Sequence, residues 1–267
     1  MPDVQTTPGH LRVPSAARVP AVVLAGGRPE PGMTGGSLPK AFAPLAGRLM
    51  VEFVLAALRG SPQVGRIILV GPRALPASVA AVVDAPVVEQ GSLLENLAAG
   101  FVGLDPTAPV LAVAADLPLL TPAAIGAFVD AAFFMDAELT YAVVPRADVE
   151  RAYPDVRKTF VRLRDGVFTG GSAFLITPLA FARARPGIER AIAARKSPWR
   201  LAGLFGTSTL IGLATGRLRI AALEARVERI AGIRARAVIC RNAEIGIDVD
   251  RPEDLAMMAR YLAGGAG

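Results

Sequence analysis

The chain is poor in the residues that carry most side-chain chemistry. Its 267 residues include one cysteine, one histidine and one tryptophan. The lone cysteine, Cys240, forms no intrachain disulfide and excludes zinc sites of the CxxC type. Flanked as AVIC, it reads as a small core residue in a reducing, cytoplasmic setting. The histidine, His10, lies in a proline-punctuated leader, which removes Ser-His-Asp and Cys-His catalysis from the folded core. No apolar run is long enough to span a bilayer, and the first residues contain no continuous apolar stretch of a signal peptide. Lysine is scarce too. Lys40, Lys158 and Lys196 are the only three, so the net charge of +6 is mainly arginine charge. The arginines run evenly through the second half without interleaved aromatics. That pattern suits solvated helix faces and small anionic partners, and makes a nucleic-acid surface the weaker reading.

What the chain has in quantity is apolar surface and glycine: 52% of residues are hydrophobic and 27 are glycine. Residues 1–18 lack periodicity and read as a flexible leader. From residue 19 the first half alternates strand and helix about every twenty residues. The continuous apolar runs Val19–Ala25, Arg66–Val70 and Val110–Ala114 read as buried parallel strands, with Pro86–Val88 and Thr140–Val144 as shorter ones. Helices are expected over Leu49–Leu58, Leu75–Val83, after Ser92 (an N-cap with Glu95 completing a capping box) and after Thr121-Pro122. Further on, Val161–Leu163 and Gly166–Phe168 read as a hairpin around Arg164-Asp165, followed by a strand at Ser172–Ile176, and Ala235–Cys240 returns to strand. Residues from about 179 to 233 read as a helical, arginine-rich insertion. The expectation is a single α/β domain over 19–267: a three-layer, doubly wound, mostly parallel sheet of Rossmann-like type, with a helical insertion in its C-terminal half.

In such sheets ligands bind beyond the carboxyl ends of the strands. Four segments are expected there. The first is LAGGRPEPGMTGGSLPKAFAPLAGR, Leu24 to Arg48. A glycine-rich turn offers backbone N–H groups to phosphate oxygens and a lysine can neutralise them, but the same loop could be plain surface. It is neither GxxxxGK[ST] nor GxGxxG, and the second absence counts against a nicotinamide enzyme. The second segment is Gly91-Ser92 with Asn96. The third is Asp116, at the end of a buried strand, where a carboxylate either bonds turn amides or holds magnesium beside phosphates. The fourth is EIGIDVDRPEDL. Asp250 has a local role there as N-cap, with Pro252 in the first turn and Glu253 at N3. Asp248 has none, and alternates with Ile247 and Val249 on a strand end, so it is the second candidate metal ligand and Asp250 mainly a cap.

The ordered details of these segments resemble the nucleotidyltransferases of the GT-A-like fold, and among them the MobA-like NTP transferases. LAGG, a variable loop, then Pro39, Lys40, Ala41, Pro44, Leu45, Gly47 and Arg48 match that pattern in order. AADLPLLTP is similar to the family's DxPLLTP segment, and DVDRPEDL to its DxDxPEDL tail. The resemblance covers roughly 19–178 and 235–262. It implies a nucleotide-binding role for Leu24, Ala25, Gly26, Gly27, Arg28 and Lys40, base contacts from Gly91, Ser92 and Asn96, and Mg²⁺ held by Asp116 and Asp248. Lys40, Asp116 and Asp248 are then the catalytic set. The basic stretch before FTGGSAFL implies an acceptor region of Arg157, Lys158, Arg162, Gly170 and Gly171, suited to a small anionic acceptor. The implied reaction moves NMP from an NTP, GTP or CTP favoured, with release of pyrophosphate. The alternative is a non-catalytic nucleotide sensor on the same fold. One departure from the family is that Arg28 follows Gly27 directly, where many members carry an arginine a few residues further on.

Overall fold

The structure is a computed structural model, and it describes residues 18–34, 38–194 and 203–264. The expected leader, with His10, therefore lies outside the described residues except for Arg18, as do Lys196 and Trp199 of the basic helical stretch. Strand β1 (Val19–Leu24) is followed by the glycine-rich loop, a 3₁₀ turn at Lys40–Phe42 and a small hairpin of β2 (Pro44–Leu45) and β3 (Arg48–Leu49). The chain then runs through α1 (Met50–Gly60), β4 (Val64–Gly71), α2 (Ala77–Ala80), β5 (Ala85–Val88), α3 (Leu93–Gly100), β6 (Val110–Ala114), α4 (Pro122–Phe133), β7 (Leu139–Pro145) and α5 (Arg146–Ala152). After β8 (Val161–Leu163) and β9 (Gly166–Ile176) come α6 (Pro178–Ala194), α7 (Thr207–Ala214) and α8 (Ile220–Ala231). The last elements are β10 (Ala235–Ile239), a 3₁₀ turn at Ala243–Gly246 and α9 (Pro252–Gly264).

The main sheet has the order β10-β7-β9-β6-β1-β4-β5, with β8 paired to β9. Every strand along that path runs parallel except β9, which is antiparallel to both β6 and β7. The period of two in the central strands divides the core into two layers. Ala21 and Val23 of β1, Ile67 and Leu69 of β4, and Leu111 and Val113 of β6 face a cluster containing Leu55 of α1, Phe128 of α4 and Met258 of α9. Their neighbours Val22, Ile68, Val70, Val110 and Ala112 face Leu97 of α3 and Phe181 of α6. Phe181 meets Phe101 edge to face, the ring centroids 5.3 Å apart. Both faces are covered, which is why these strands read as unbroken apolar runs. The fold is thus the expected three-layer, mostly parallel α/β sheet.

Three local expectations need correction. The segments read as Gly166–Phe168 and Ser172–Ile176 are one strand, β9, with Gly170 and Gly171 inside it and no turn between them. Gly171 lies so close to β7 that an added Cβ would stand 2.7 Å from the Ala142 Cβ, so glycine lets the strands approach. The helix expected over Leu75–Val83 shrinks to the single turn α2: it begins only after its N-cap Pro76, and just beyond it Asp84 accepts the Ile67 amide (2.7 Å) and sets the chain into β5. Of the capping box at α3 only half forms: the Ser92 hydroxyl accepts the Glu95 amide, 3.2 Å. The hairpin around Arg164-Asp165 forms as expected, as β8 and the start of β9.

Candidate active site

The carboxyl ends of the parallel strands carry the four segments to one edge. Backbone hydrogen bonds continue the ladder into the loops: Ala25 N donates to Val70 O (2.8 Å), Glu89 N to Gly71 O (2.8 Å), Ala115 N to Leu24 O (3.2 Å) and Val249 N to Asp116 O (3.0 Å). The last of these ties the end of the chain to the turn after β6.

Lys40 enters this edge from the 3₁₀ turn, anchored by the buried Ala41 and Phe42. Its ammonium meets Asp116 Oδ2 at 2.8 Å, Asp250 Oδ1 at 2.9 Å and the carbonyl oxygen of Val249 at 2.9 Å. Burial pulls the Lys40 pKa down, but Asp116 and then Asp250 outweigh it, and the net shift is upward. The Asp250 carboxyl is held below its ordinary value, first by the Lys40 hydrogen bond. Lys158 pairs with Asp248. Burial pushes the Lys158 pKa down against the opposing pull of Asp250 and Asp116.

Asp116, Asp248 and Asp250 each offer one carboxylate oxygen, all within 4.8 Å of one another. Asp116 Oδ1 is buried and has no hydrogen-bond partner. An oxygen left in that condition is costly unless a cation meets it. Three hard oxygen donors of this kind fit a divalent ion such as Mg²⁺.

Two readings of this segment change. Asp250 does not cap α9. Arg251 immediately precedes Pro252, and it is the Asp254 side chain that turns back, accepting the amides of Asp250 (3.1 Å) and Arg251 (2.9 Å). Asp250 is thereby free to join the acidic group. Asp248 lies beyond the 3₁₀ turn in a loop, not on a strand end; β10 has finished at Ile239. Its alternation holds all the same, since Ile247 and Val249 are fully buried on either side of it.

At the glycine loop, Gly27 adopts φ +129°, a region that favours glycine. Its amide donates to Glu89 Oε2 at 2.6 Å, and a Cβ on Gly26 would stand 2.4 Å from the same oxygen. A carboxylate thus rests where the loop presents its amides. Leu24 closes β1, Ala25 is buried, and Arg28 is exposed on the loop. Ser92 caps α3, while Asn96, 9% exposed, accepts the Gln90 amide (2.6 Å) and so braces the turn at Gly91 from below.

A cleft of about 900 Å³ opens beside the acidic group. Arg157, Lys158, Thr169 and Arg251 line it together with Asp248 and Asp250. Arg162 is not among its lining residues; its side chain lies against Gly216, after α7. Gly171 is buried in the sheet and Gly170 is exposed next to the Tyr141 hydroxyl. Sequence reasoning did not single out Glu89 or the Lys158–Asp248 pair. Glu89 carried a usable signal, being a charged residue directly after a strand expected to end at this edge. The pair carried none.

The residues 21–203 match the model of the MobA-like NTP transferase domain, and the chain belongs to that family. Among solved structures, a hypothetical transferase from Thermus thermophilus is 39% identical with a TM-score of 0.81, over 90% of this chain and 100% of that one. The 4-diphosphocytidyl-2C-methyl-D-erythritol synthase of Anaerococcus prevotii is 14% identical with a TM-score of 0.57, over 93% of this chain and 97% of that one. A CMP:2-keto-3-deoxy-manno-octonic acid synthetase solved with CTP is 13% identical with a TM-score of 0.57, over 93% and 100%. At those identities the last two share the fold. No curated protein matches the chain. By its family the protein is a nucleotidyltransferase. No helix among the described residues is long and apolar enough to cross a membrane.

Proposed function

We propose that the protein transfers NMP from an NTP to a small anionic acceptor with release of pyrophosphate. The observation that carries the reading is the group of Asp116, Asp248 and Asp250 oxygens, within 4.8 Å of one another and bracketed by Lys40, at the edge where the Gly26–Gly27 loop also lies. An acceptor oxygen forms a bond to the α-phosphorus while the bond to the bridging oxygen breaks, and that oxygen leaves with its electron pair as pyrophosphate. Mg²⁺ held by the three aspartates supplies Lewis-acid neutralisation of phosphate charge. Lys40 holds a second positive charge against the phosphates, as a lysine ammonium does at neutral pH. The amides of Gly26 and Gly27 orient phosphate oxygens once the Glu89 carboxylate, which accepts the Gly27 amide in the free protein, moves aside, with Leu24, Ala25 and Arg28 shaping the entry. The turn of Gly91 and Ser92, fixed by Asn96, faces the base. Arg157, Lys158, Arg251 and Arg260 line the cleft among the carboxylates of Asp155, Glu253 and Asp254, and they are the groups that would meet an anionic acceptor. Such a reaction rests on positioning and charge neutralisation, so a chain with its one histidine at position 10 has the groups it needs.

Thermal unfolding with each of the four NTPs, GTP and CTP first, with and without Mg²⁺, tests this reading. A nucleotide at about 100 times its Kd stabilises by about 2.7 kcal/mol. In a domain of this size that raises the Tm by roughly 5–10 °C. The shift is expected to need Mg²⁺ and to disappear in Lys40→Ala. The proposal fails if no NTP raises the Tm at millimolar concentration with Mg²⁺.

A further inference from the structure

The two lysines of the site are held differently. Lys40 has three oxygen partners, one of them a backbone carbonyl, and stands on a turn whose next two residues are buried. Lys158 has one partner, the Asp248 carboxylate, with the two side chains 13% and 22% exposed. It lies in residues 153–160, between α5 and β8, a stretch without helix or strand. Its flanking residues Arg157 and Thr159 are exposed and line the cleft with it.

We propose that Lys158 is a built-in cation that occupies the acidic group in the free protein and gives it up when a divalent metal binds, releasing its ammonium to the acceptor cleft. The inference rests on the metal reading of Asp116, Asp248 and Asp250 above. With its ammonium on Asp248, Lys158 supplies that carboxylate with the positive charge a metal would otherwise bring, so the two compete for it. The group as it stands balances three carboxylates against two ammonium ions, so an arriving divalent ion makes one of the lysines redundant. The one to leave is the one with a single partner on an irregular segment. Once released, Lys158 no longer has its charge offset by Asp248, and it stands in the cleft with Arg157 and Arg251 and, opposing them, Asp155, Glu253 and Asp254. The exchange therefore favours an order of events in which metal, with its nucleotide, binds first and the anionic acceptor second.

The test is Mn²⁺ binding to nucleotide-free protein, read from the free-ion signal in electron paramagnetic resonance. Five proteins are compared: wild type, Lys158→Met, Lys158→Gln, Arg157→Gln and Asp248→Asn, each first checked for a native unfolding transition. Lys158→Met is expected to bind Mn²⁺ roughly fivefold tighter than wild type or better, as removal of a competing ion pair worth about 1 kcal/mol requires. Arg157→Gln removes the same charge from the same cleft without touching an aspartate, and is expected to stay within about twofold of wild type. Asp248→Asn is expected to bind more weakly. Lys158→Gln repeats the lysine test with a polar side chain, so that a packing defect of the methionine cannot decide the result. If wild type binds Mn²⁺ and Asp248→Asn weakens it, but Lys158→Met and Lys158→Gln bind no tighter than Arg157→Gln, the exchange is overturned and the metal site stands. If Asp248→Asn binds as wild type does, or no protein binds Mn²⁺ at millimolar concentration, the metal reading falls and the exchange falls with it.

Discussion

Gly170 and Gly171 lie side by side in β9, after Thr169, which lines the cleft beside the acidic group, and substitution tests the packing role of each. A Cβ on Gly171 would stand 2.7 Å from the Ala142 Cβ and 3.1 Å from the Ala142 carbonyl oxygen. Neither is the tip of a flexible side chain. To accommodate Gly171→Ala, β7 and β9 must separate by several tenths of an ångström, at a point where Ala142 is fully buried. Overpacking of that kind costs about 1–3 kcal/mol. At roughly 2–4 °C per kcal/mol, the Tm should fall by roughly 2–12 °C. A Cβ on Gly170 would stand 2.6 Å from the Tyr141 hydroxyl, but that oxygen ends a side chain that is 41% exposed and able to swing away. Gly170→Ala should therefore cost no more than about 0.5 kcal/mol. Urea unfolding of both variants, with the slope checked for constancy, gives the comparison. Equal losses, or a Gly171→Ala protein as stable as wild type, would refute the close-approach argument. The neighbouring glycine would then need another reason to be there.

Two further predictions concern titratable groups away from the site. Asp84 is held below the ordinary aspartate value of 3.8, first by the Arg59 side chain (2.7 Å) and then by the Ile67 amide. A folded-state pKa below the unfolded one gives stability that is present above the unfolded value and lost as pH falls through the folded one. The urea midpoint of Asp84→Asn should therefore lie below that of wild type by a constant amount between about pH 5 and 7, and the gap should close below about pH 4; a gap that widens in acid would contradict the pairing. Burial pushes the Cys240 thiol up to about 12, and the residue is 8% exposed. Its modification by a disulfide reagent at pH 8 should be at least a hundredfold slower in native than in urea-unfolded protein, and rapid native labelling would place Cys240 outside the core.

The parts legible in the sequence are those whose physics is local or repetitive. β1, β4 and β6 announced themselves because strands covered on both faces have no polar alternation to hide them. Lys40, Asp116 and Asp248 were legible because a fixed order of glycines, proline and lysine, and the two acidic segments, carry a family pattern. Asp250 shows where local reasoning stops. DRPED is a good capping sequence, yet the carboxylate that turns back on the helix is Asp254, and Asp250 goes to a lysine 210 residues away. The partnership of Lys158 with Asp248, 90 residues apart, likewise depends on the finished fold. Gly170 and Gly171 were singled out only through the family pattern; in the fold, the close packing of two strands selects the small residue at 171.

Lys40 reaches Val249 across 209 residues, and the Val249 amide in turn reaches the Asp116 carbonyl. During synthesis the glycine loop and most of the sheet leave the ribosome long before the segment that completes the acidic group. A translation product that stops short of residue 248 could build β1, β4, β6 and their helices, yet would leave Lys40 and Asp116 without the partners that make them a site. Nucleotide chemistry is thereby tied to the arrival of the last helix, and an unfinished chain would hold a folded sheet without an assembled centre to act on a triphosphate.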